Sequence, residues 1–274
     1  MQGKISRQVS ATLARLPPTR CPRTVMCLVL FAYQPESEHP LVVAANRDEL
    51  YARPAESAHR WEESPQLLAG RDLSAGGTWL GVTSTGRFAT VTNFAEETSA
   101  EPPRSRGELT QSFLLDDMSA HDFAHHLEGA LYRGFNLLVW DGASLVYTSN
   151  RGITEDLEPG TYGLANAELG SSWPKVASGV RALERELASG PTLDGLLRLL
   201  ADDTVPPDHE LPSRGRPIEF ERRVAPRFIN GDEYGTRAST AVVFSKGSCR
   251  FAEQEYGPGG KTGGRCDFNI DIGR

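Results

Sequence analysis

Residues 26–49 combine several chemically reactive side chains with the pattern of a buried hairpin. Two apolar runs flank a polar stretch that is bounded by prolines, which is typical of two antiparallel strands and their loop. Cys27 precedes the first run, and the second run ends in the tetrapeptide Asn46, Arg47, Asp48 and Glu49. Antiparallel pairing predicts that Cys27 lies opposite Asn46 and Arg47, to within a residue or two. A thiol, a guanidinium, an amide and two carboxylates therefore gather at one end of two apolar strands, which indicates a functional site.

Cys27 has a special chemical option because it directly follows a methionine. If Met26 is the true start and is removed, Cys27 carries a free α-amino group, whose unperturbed pKa of about 7.7–8.0 suits a base near pH 7. Arg47 would then lower the pKa of the thiol, and Asp48 would orient the amine or the arginine. The alternative is that Cys27 is a small buried residue at a strand start, with Arg47 and Asp48 forming a plain ion pair.

The bulk properties describe an ordinary soluble, acidic protein. The 274 residues suffice for a sizeable core, and 39% of them are hydrophobic and 24% charged. A net charge of −7 and the lack of a basic patch with interleaved aromatics argue against nucleic-acid binding. No apolar run approaches the ~20 residues that a membrane span needs. The cysteines show no CxxC spacing, so neither a zinc nor a disulfide framework is indicated, and a reducing compartment fits better.

Residues 1–25 differ in composition from the rest of the chain. They contain five basic residues and no acidic one, and they are rich in Ser, Thr and Ala, as transit peptides are. The alternative is an over-long start, with translation beginning at Met26. We expect this leader to be disordered or removed. The chain is then expected to be cytoplasmic, or mitochondrial if the leader is a transit peptide.

Asparagines end two further predicted strands. The segments 79–83 and 87–93 flank the turn 84–86 and predict a second hairpin, which ends in Asn93. Asn166 ends a short strand predicted within 162–167. An asparagine beside a nucleophile can donate to an oxyanion, whereas the alternative is a turn residue that bonds its own backbone.

Helical spacing of apolar residues predicts helices over 108–116, 121–131, 173–187 and 193–200. On the second of these, His121 and His125 have the i,i+4 spacing of metal or haem ligands. No acidic or cysteine partner lies at motif spacing nearby, and two ligands do not complete a site. We therefore interpret these histidines as solvent-exposed and predict no metal site.

The order of elements predicts one domain over residues 26–256. Strand runs separated by helix pairs suit two sheets packed face to face with helices outside, which is an α+β fold. The segment 50–68 reads as irregular, and the proline-rich segment 202–217 is a candidate mobile flap or entry loop. The glycine-rich residues 257–274 are expected to be a loose tail.

Nine blocks that occur in order between residue 26 and about residue 256 resemble the NRDE family, the family of the transport and Golgi organisation protein 2. The blocks are MCLVLF at Met26, AANRDE with Arg53-Pro54, GRD at Gly70–Asp72, GGTWLGV at Gly76–Val82, SRG at Ser105–Gly107, GFNLL at Gly134–Leu138, YGLANA at Tyr162–Ala167, WPKV at Trp173–Val176 and YGTRAST at Tyr234–Thr240. The resemblance implies an N-terminal-nucleophile (Ntn) hydrolase-like fold, a four-layer αββα sandwich. It also implies links to haem and to lipid or acyl-CoA handling.

A similarity to the cysteine amidohydrolases of the Ntn group, such as bile-salt hydrolases and penicillin V acylase, implies an enzyme that cleaves an amide C–N bond. Cys27 would attack the carbonyl, and Arg47 and Asp48, which are adjacent here rather than spaced as in those enzymes, would hold the amine and thiol. Asn93 and Asn166 would contact the oxyanion or substrate. Arg237 would tune the nucleophile or bind a substrate carboxylate. The expected ligand contacts are Asn46, Glu49, Trp79, Tyr234 and Thr236.

Two other functions fit the same residues. A pocket lined by Trp79, with Arg47 and Arg237 at its rim, would suit a non-catalytic carrier of a small amphipathic anion such as haem or acyl-CoA. No cofactor is required in either case, and haem is a candidate cargo, although no trustworthy Cys-Pro or His axial-ligand motif lies outside the leader. The third interpretation is that the polar cluster only locks the two sheets together.

Overall fold

The computed structural model describes residues 26–95 and 103–273, so the predictions for residues 1–25 lie outside it. The first sheet has six strands, all antiparallel to their neighbours. From edge to edge they are β10 (Gly160–Leu164), β1 (Leu28–Tyr33), β2 (Leu41–Leu50), β11 (Tyr234–Ser245), β12 (Ser248–Gly257) and β13 (Lys261–Asp271). This sheet carries both strands of the predicted Cys27 hairpin at its centre.

The second sheet has seven strands and is an antiparallel meander that follows the chain order. Its strands are β3 (Ala55–Trp61), β4 (Ser64–Asp72), β5 (Leu80–Thr83), β6 (Phe88–Asn93), β7 (Phe135–Trp140), β8 (Leu145–Ser149) and β9 (Thr154–Asp156). The predicted turn between β5 and β6 is confirmed, and its Gly86 adopts a φ of 85°, which a residue with a Cβ rarely does.

The described helices are α1 (Arg106–Leu115), α2 (Ala120–His125), α3 (Pro174–Ala188), α4 (Leu193–Leu200) and α5 (Ile218–Val224). The predicted helices near 108–116, 173–187 and 193–200 are confirmed to within two residues. Pro174 suits the first turn of α3 because it needs no backbone donor there, and the Thr192 hydroxyl accepts from Gly195 N–H to cap α4. Among the described helices, none is both long and apolar enough to cross a membrane.

Three hydrophobic clusters define the order of the layers. One lies between the sheets and joins residues such as Phe31 and Phe244 to Phe88 and Trp140. The second joins the outer face of the six-stranded sheet to α3 and α4, and the third joins the seven-stranded sheet to α1 and α2. The order is therefore helices, sheet, sheet, helices, which confirms the predicted four-layer αββα sandwich. Strands β1 and β2 are apolar on both faces because each face is covered.

The C-terminal residues are not the loose tail that we predicted. Strand β13 pairs with β12 along most of its length and forms the edge of the six-stranded sheet. Its alternate residues Cys266, Phe268 and Ile270 pack on the core between the sheets, so a period-two pattern is present in the sequence. Glycines and exposed charges, which edge strands tolerate, obscure that pattern.

The segment 50–68 is not the irregular excursion that its prolines and charges predict, because it forms β3 and part of β4. The two strands pair with register shifts, and β3 is the edge of its sheet. Pro54 precedes β3, and Pro65 is the second residue of β4. Prolines and charges are compatible with strand ends and edges because no ladder hydrogen bond is lost there.

The second predicted helix is shorter than expected, and a side chain from another part of the chain binds the backbone that follows it. Helix α2 stops at His125, and only a 3₁₀ turn follows at Gly129–Leu131. The Asn150 amide nitrogen donates to the carbonyls of Gly129, Tyr132 and Arg133. These carbonyls are therefore bonded to a side chain from the β8–β9 connection rather than to a continuing helix.

Candidate functional site

The register of the central hairpin brings the nucleophile candidate to the arginine of the tetrapeptide. Leu28 pairs with Asn46, so antiparallel continuation sets Cys27 opposite Arg47. This confirms the predicted register. It also sets both residues on the face of the six-stranded sheet that looks toward the second sheet, since Val29 and Ala45 on that face belong to the core between the sheets.

Strand alternation divides the tetrapeptide between the two faces of the sheet. The Arg47 side chain lies between the sheets, with its guanidinium carbon 4.1 Å from the centroid of the Trp79 ring. Asn46 and Asp48 point the other way, toward the helix layer. The plain Arg47–Asp48 ion pair considered from the sequence is therefore wrong. Arg47 instead lies 3.7 Å from the Asp72 carboxylate, which the sequence analysis assigned no role.

Asn46 joins β2 to its neighbours on the helix side. Its side-chain nitrogen donates to the carbonyls of Leu200 and Arg227, and its oxygen accepts from the Ser239 hydroxyl. These bonds tie β2 to the end of α4 and to β11. The amide is buried and bonded at both ends, and its expected ligand contact stays a prediction.

Asp48 and Thr236 form a second buried contact on the helix side. The Thr236 hydroxyl donates to Oδ1 of Asp48 over 2.7 Å, and Thr236 is fully buried. The ligand contact expected of Thr236 stays a prediction. Burial raises the pKa of Asp48 to about 7, against the lowering effects of nearby Lys175 and of the Thr236 hydrogen bond. The other oxygen, Oδ2, has no hydrogen-bond partner within the described chain.

Lys175 lies in the same neighbourhood as Asp48, although no sequence motif indicated a role for it. It belongs to the quoted WPKV block and lies in the first turn of α3, where it is buried beside Asp48 and Cys27. Burial lowers the pKa of Lys175, and its ammonium nitrogen has no hydrogen-bond partner among the described residues. No apolar or charge pattern in the sequence signals that this lysine is buried.

The backbone of Cys27 is held by the predicted asparagines. Its N–H donates to Oδ1 of Asn166 over 2.8 Å, and Nδ2 of Asn166 donates to the Asn93 carbonyl over 2.9 Å. Asn166 thus positions the nitrogen that would become the α-amine of a chain beginning at Cys27. The oxyanion contacts expected of Asn93 and Asn166 stay predictions.

The thiol of Cys27 is not a ready nucleophile. Burial and, to a smaller extent, the charge of Asp48 raise the pKa of Cys27 to about 12. A backbone hydrogen bond at Asp48 and the charge of Arg47 lower it only in part. At neutral pH the sulfur keeps its proton, so catalysis by Cys27 needs an adjacent base.

Trp79 lies beside the site, and three glycine-containing sequence blocks pack closely together around it. A Cβ on Gly70 would lie 2.4 Å from the Trp79 ring, and one on Gly77 would lie 2.4 Å from the carbonyl carbon of Gly107. The GRD, GGTWLGV and SRG blocks therefore meet in space. Glycine is needed where backbone and ring approach this closely.

Cys27, Arg47 and Trp79 line one cleft between the sheets. The other lining residues are Val29, Ala45, Asn46, Leu80, Thr90, Val91, Thr92 and Thr240. The cleft has a cavity volume of only about 20 Å³, which is room for one or two water molecules. It therefore suits a narrow group better than a bulky one.

Glu49 and Arg237 lie at the margin of the site. Oε2 of Glu49 is 3.8 Å from Arg53, which in turn bonds Asp72 over 2.8 Å. Arg237 lies at a β-bulge and donates to the carbonyl of Arg53. No hydrogen bond joins Arg237 to Cys27 in the described part of the chain, so a direct action on the nucleophile stays a prediction.

Tyr234 contacts Met26, the residue that precedes Cys27. Its hydroxyl accepts from the Met26 N–H, and the buried Met26 side chain packs with Val224, Ile229 and Trp173. Arg214 closes this pocket by donating toward Met26 Sδ over 3.6 Å while it pairs with Glu221. Arg214 belongs to the segment predicted as a flap, so that segment contacts Met26. Its mobility stays a prediction.

The chain is similar to a known protein family over most of its length. The sequence model of the family described as Transport and Golgi organisation 2 matches residues 26–258. The Transport and Golgi organization protein 2 homolog of Bos taurus is 36% identical over 257 residues, with 84% of this chain and 92% of the bovine chain covered. The homolog of Homo sapiens is 33% identical with the same coverage of both chains.

Among solved structures, the chain is similar to a variant of the conjugated bile acid hydrolase from Clostridium perfringens. The TM-score is 0.48 with 9% sequence identity, and the match covers 90% of this chain and 92% of the other. A likeness of this size says nothing about substrate.

Proposed function

The chain belongs to the Transport and Golgi organisation 2 family, and from this premise we propose that it is an N-terminal-cysteine hydrolase that cleaves the amide C–N bond of an acyl or amphipathic substrate. The observation that supports this proposal is the contact between the Cys27 nitrogen and Oδ1 of Asn166, over 2.8 Å. In a chain that begins at Cys27, the same Asn166 oxygen would accept from the α-amine and orient it toward the thiol.

The reaction uses the α-amine of a chain that begins at Cys27. The amine takes the thiol proton, and the sulfur forms a bond with the substrate carbonyl carbon. The C–N bond then breaks, and the departing amine takes the proton. Water hydrolyses the resulting thioester, which releases the acid and restores the thiol. The overall change is one amide and one water converted into one acid and one amine.

Removal of Met26 is what makes this chemistry available. In the chain that retains Met26, the nitrogen of Cys27 is a peptide amide and cannot act as a base. A thiol with a pKa of about 12 is then almost wholly protonated at neutral pH. Removal of Met26 also empties the apolar pocket formed by Trp173, Val224 and Ile229, next to the nucleophile. An apolar part of the substrate would occupy that space.

The first test compares a chain beginning at Cys27 with one that retains Met26 behind an uncleavable extension. Both are incubated with a set of N-acyl amides of different chain length, and intact mass and released amine are measured. We expect an acyl adduct on Cys27 and multiple turnovers only for the form that begins at Cys27. A Cys27→Ser variant of that form should lose turnover while keeping its melting temperature, since the substitution changes one atom.

The Arg237→Gln variant tests whether the arginine at the margin of the site contacts the substrate. It should change KM more than kcat if it contacts the substrate, because it has no hydrogen bond to Cys27 in the described structure. Equal turnover by the two N-terminal forms, or full turnover by Cys27→Ser, would contradict the hydrolase.

A second function is the carriage of a small amphipathic anion such as haem or acyl-CoA. It is favoured by the buried guanidinium of Arg47, which stacks on Trp79 in the cleft and would attract a carboxylate or phosphate. Haemin and acyl-CoA are titrated against the chain that retains Met26, with Arg47→Gln as the variant. Saturable binding that Arg47→Gln abolishes would support carriage. Equal binding by the parent chain and by Arg47→Gln would count against it.

A further inference from the structure

A cluster of metal-ligating side chains lies in the outer helix layer of the seven-stranded sheet. One candidate ligand atom from each of His121, His125 and Asp156 lies within 4.8 Å of the other two. The imidazole centroids are 4.3 Å apart, and Nδ1 of His121 is 2.8 Å from Oδ2 of Asp156. The nucleophile Cys27 lies beside the other sheet, so this cluster is separate from the site described above.

The third ligand comes from a different element than the histidines. His121 and His125 lie one turn apart on α2, whereas Asp156 ends β9, more than thirty residues along the chain. The sequence shows only the two histidines at ligand spacing, and two ligands do not complete a metal site. The fold supplies the carboxylate that the sequence pattern lacks.

Both elements are anchored independently of the cluster. The Ser119 hydroxyl accepts from Asp122 N–H to cap α2, and Asp141 accepts from the Ala120 N–H over 2.7 Å. Asp156 is held in register because β9 pairs with β8, with Val146 opposite it. The backbone positions of the three candidate ligands are therefore set before any ion binds.

The donor set indicates a borderline divalent ion rather than a hard one. Imidazole nitrogens suit Zn²⁺ and its transition-metal neighbours, whereas Mg²⁺ and Ca²⁺ prefer oxygen ligands alone. Zn²⁺ lies at about 2.0–2.2 Å from each nitrogen or oxygen ligand and often takes three protein ligands with water as the fourth. The side chains of His121 and Asp156 are about half exposed, at 52% and 49%, and so have freedom to rotate onto such an ion.

We propose that His121, His125 and Asp156 bind Zn²⁺, with water at the remaining position, and that the ion ties α2 to the edge strand β9. The proposal does not depend on the proposed hydrolase, because it involves neither Cys27 nor the cleft. Bound Zn²⁺ would cover an open sheet edge and would stabilise the outer helix layer.

The test titrates ZnCl₂ into the full chain and its variants by isothermal calorimetry. His125→Ala should lower the affinity for Zn²⁺ by roughly tenfold or more, because it leaves two ligands. The matched control is His126→Ala, an adjacent exposed histidine whose Nδ1 lies 2.8 Å from the Asp122 carbonyl outside the cluster. His126→Ala should bind as the parent does, and excess Mg²⁺ should not compete.

Co²⁺ substitution identifies the ligand atoms. A nitrogen and oxygen site should give visible ligand-field bands without intense sulfur-to-cobalt charge transfer in the near ultraviolet. Strong charge transfer would assign the ion to a cysteine and would overturn the proposal. Equal affinities for His125→Ala and His126→Ala, or no Zn²⁺ binding by the parent chain, would overturn it as well.

Discussion

At the scale of single residues, the tetrapeptide Asn46–Glu49 serves two faces of one strand. Asn46 and Asp48 are bonded to Ser239 and Thr236 on the helix side, where they hold β2 to its neighbours. Arg47 turns to the cleft and stacks on Trp79. The helix-facing half therefore joins β2 to β11 and to the helix layer, whereas Arg47 reaches the second sheet at Asp72 and Trp79. A functional role is proposed for this half, which faces Cys27.

A buried carboxyl near the cleft should make the stability of the protein depend on pH. Glu253 accepts from the Ala58 N–H over 2.7 Å and from the Thr240 hydroxyl over 3.2 Å. Burial raises the pKa of Glu253 from 4.5 to about 7, against the lowering effect of these bonds. Between those values the folded state keeps a proton that the unfolded state releases, so stability falls as pH rises through this window.

The Glu253→Gln variant should lose this part of the pH dependence, because it has no proton to release. The difference in unfolding free energy between variant and parent should change by at most about 3 kcal/mol across the window, since each pKa unit corresponds to about 1.4 kcal/mol. Urea denaturation at pH values on both sides of the window measures this difference in unfolding free energy. Glu62→Gln, an exposed substitution, is the control. If the unfolding free energies of the parent, of Glu253→Gln and of Glu62→Gln change with pH in parallel, Glu253 does not titrate in this way.

At the scale of elements, Asn150 holds the backbone that connects α2 to β7. Its Nδ2 donates to three carbonyls, and its Oδ1 accepts from the Phe135 N–H over 2.9 Å. One side chain from the β8–β9 connection thus satisfies the backbone that leads from α2 into β7.

Asn150→Asp separates the two functions of this side chain. The carboxylate keeps the acceptor for Phe135 but loses all donors to the carbonyls, so we expect a loss of about 1–3 kcal/mol in unfolding free energy. Amide hydrogen exchange should accelerate between residues 129 and 134. Asn269→Asp on β13 is the matched control, and a similar small effect of both substitutions would contradict this account.

At the scale of the whole molecule, two sheets enclose the main core, and the cleft lies between them. Strand β13 completes one sheet and contributes Phe268 and Ile270 to the core. This contribution makes the C-terminal residues part of the domain, although they follow the last block of the family resemblance.

Deletion of residues 261–274 should therefore destabilise the domain. The loss should be about 3 kcal/mol or more, because burying one large apolar side chain contributes about 1.5–3 kcal/mol and β12 would also lose its pairing partner. Thermal and urea unfolding measure this loss, and increased aggregation is expected from the bared edge. Deletion of residues 273–274 alone is the control. An unchanged melting temperature after the longer deletion would restore the interpretation of a loose tail.

The sequence by itself determined the features that depend on local pattern. The hairpin register that joins Cys27 to Arg47, the helices α3 and α4, and the sandwich order all follow from periodicity, turn residues and ordered motif blocks. Tertiary structure alone decided which face each polar side chain serves, that Lys175 and Met26 are buried beside Cys27, and that Asp156 joins the two histidines. The physical reason is that periodicity records average burial along one element, whereas burial of a charge or a shared site depends on elements that are distant in the chain.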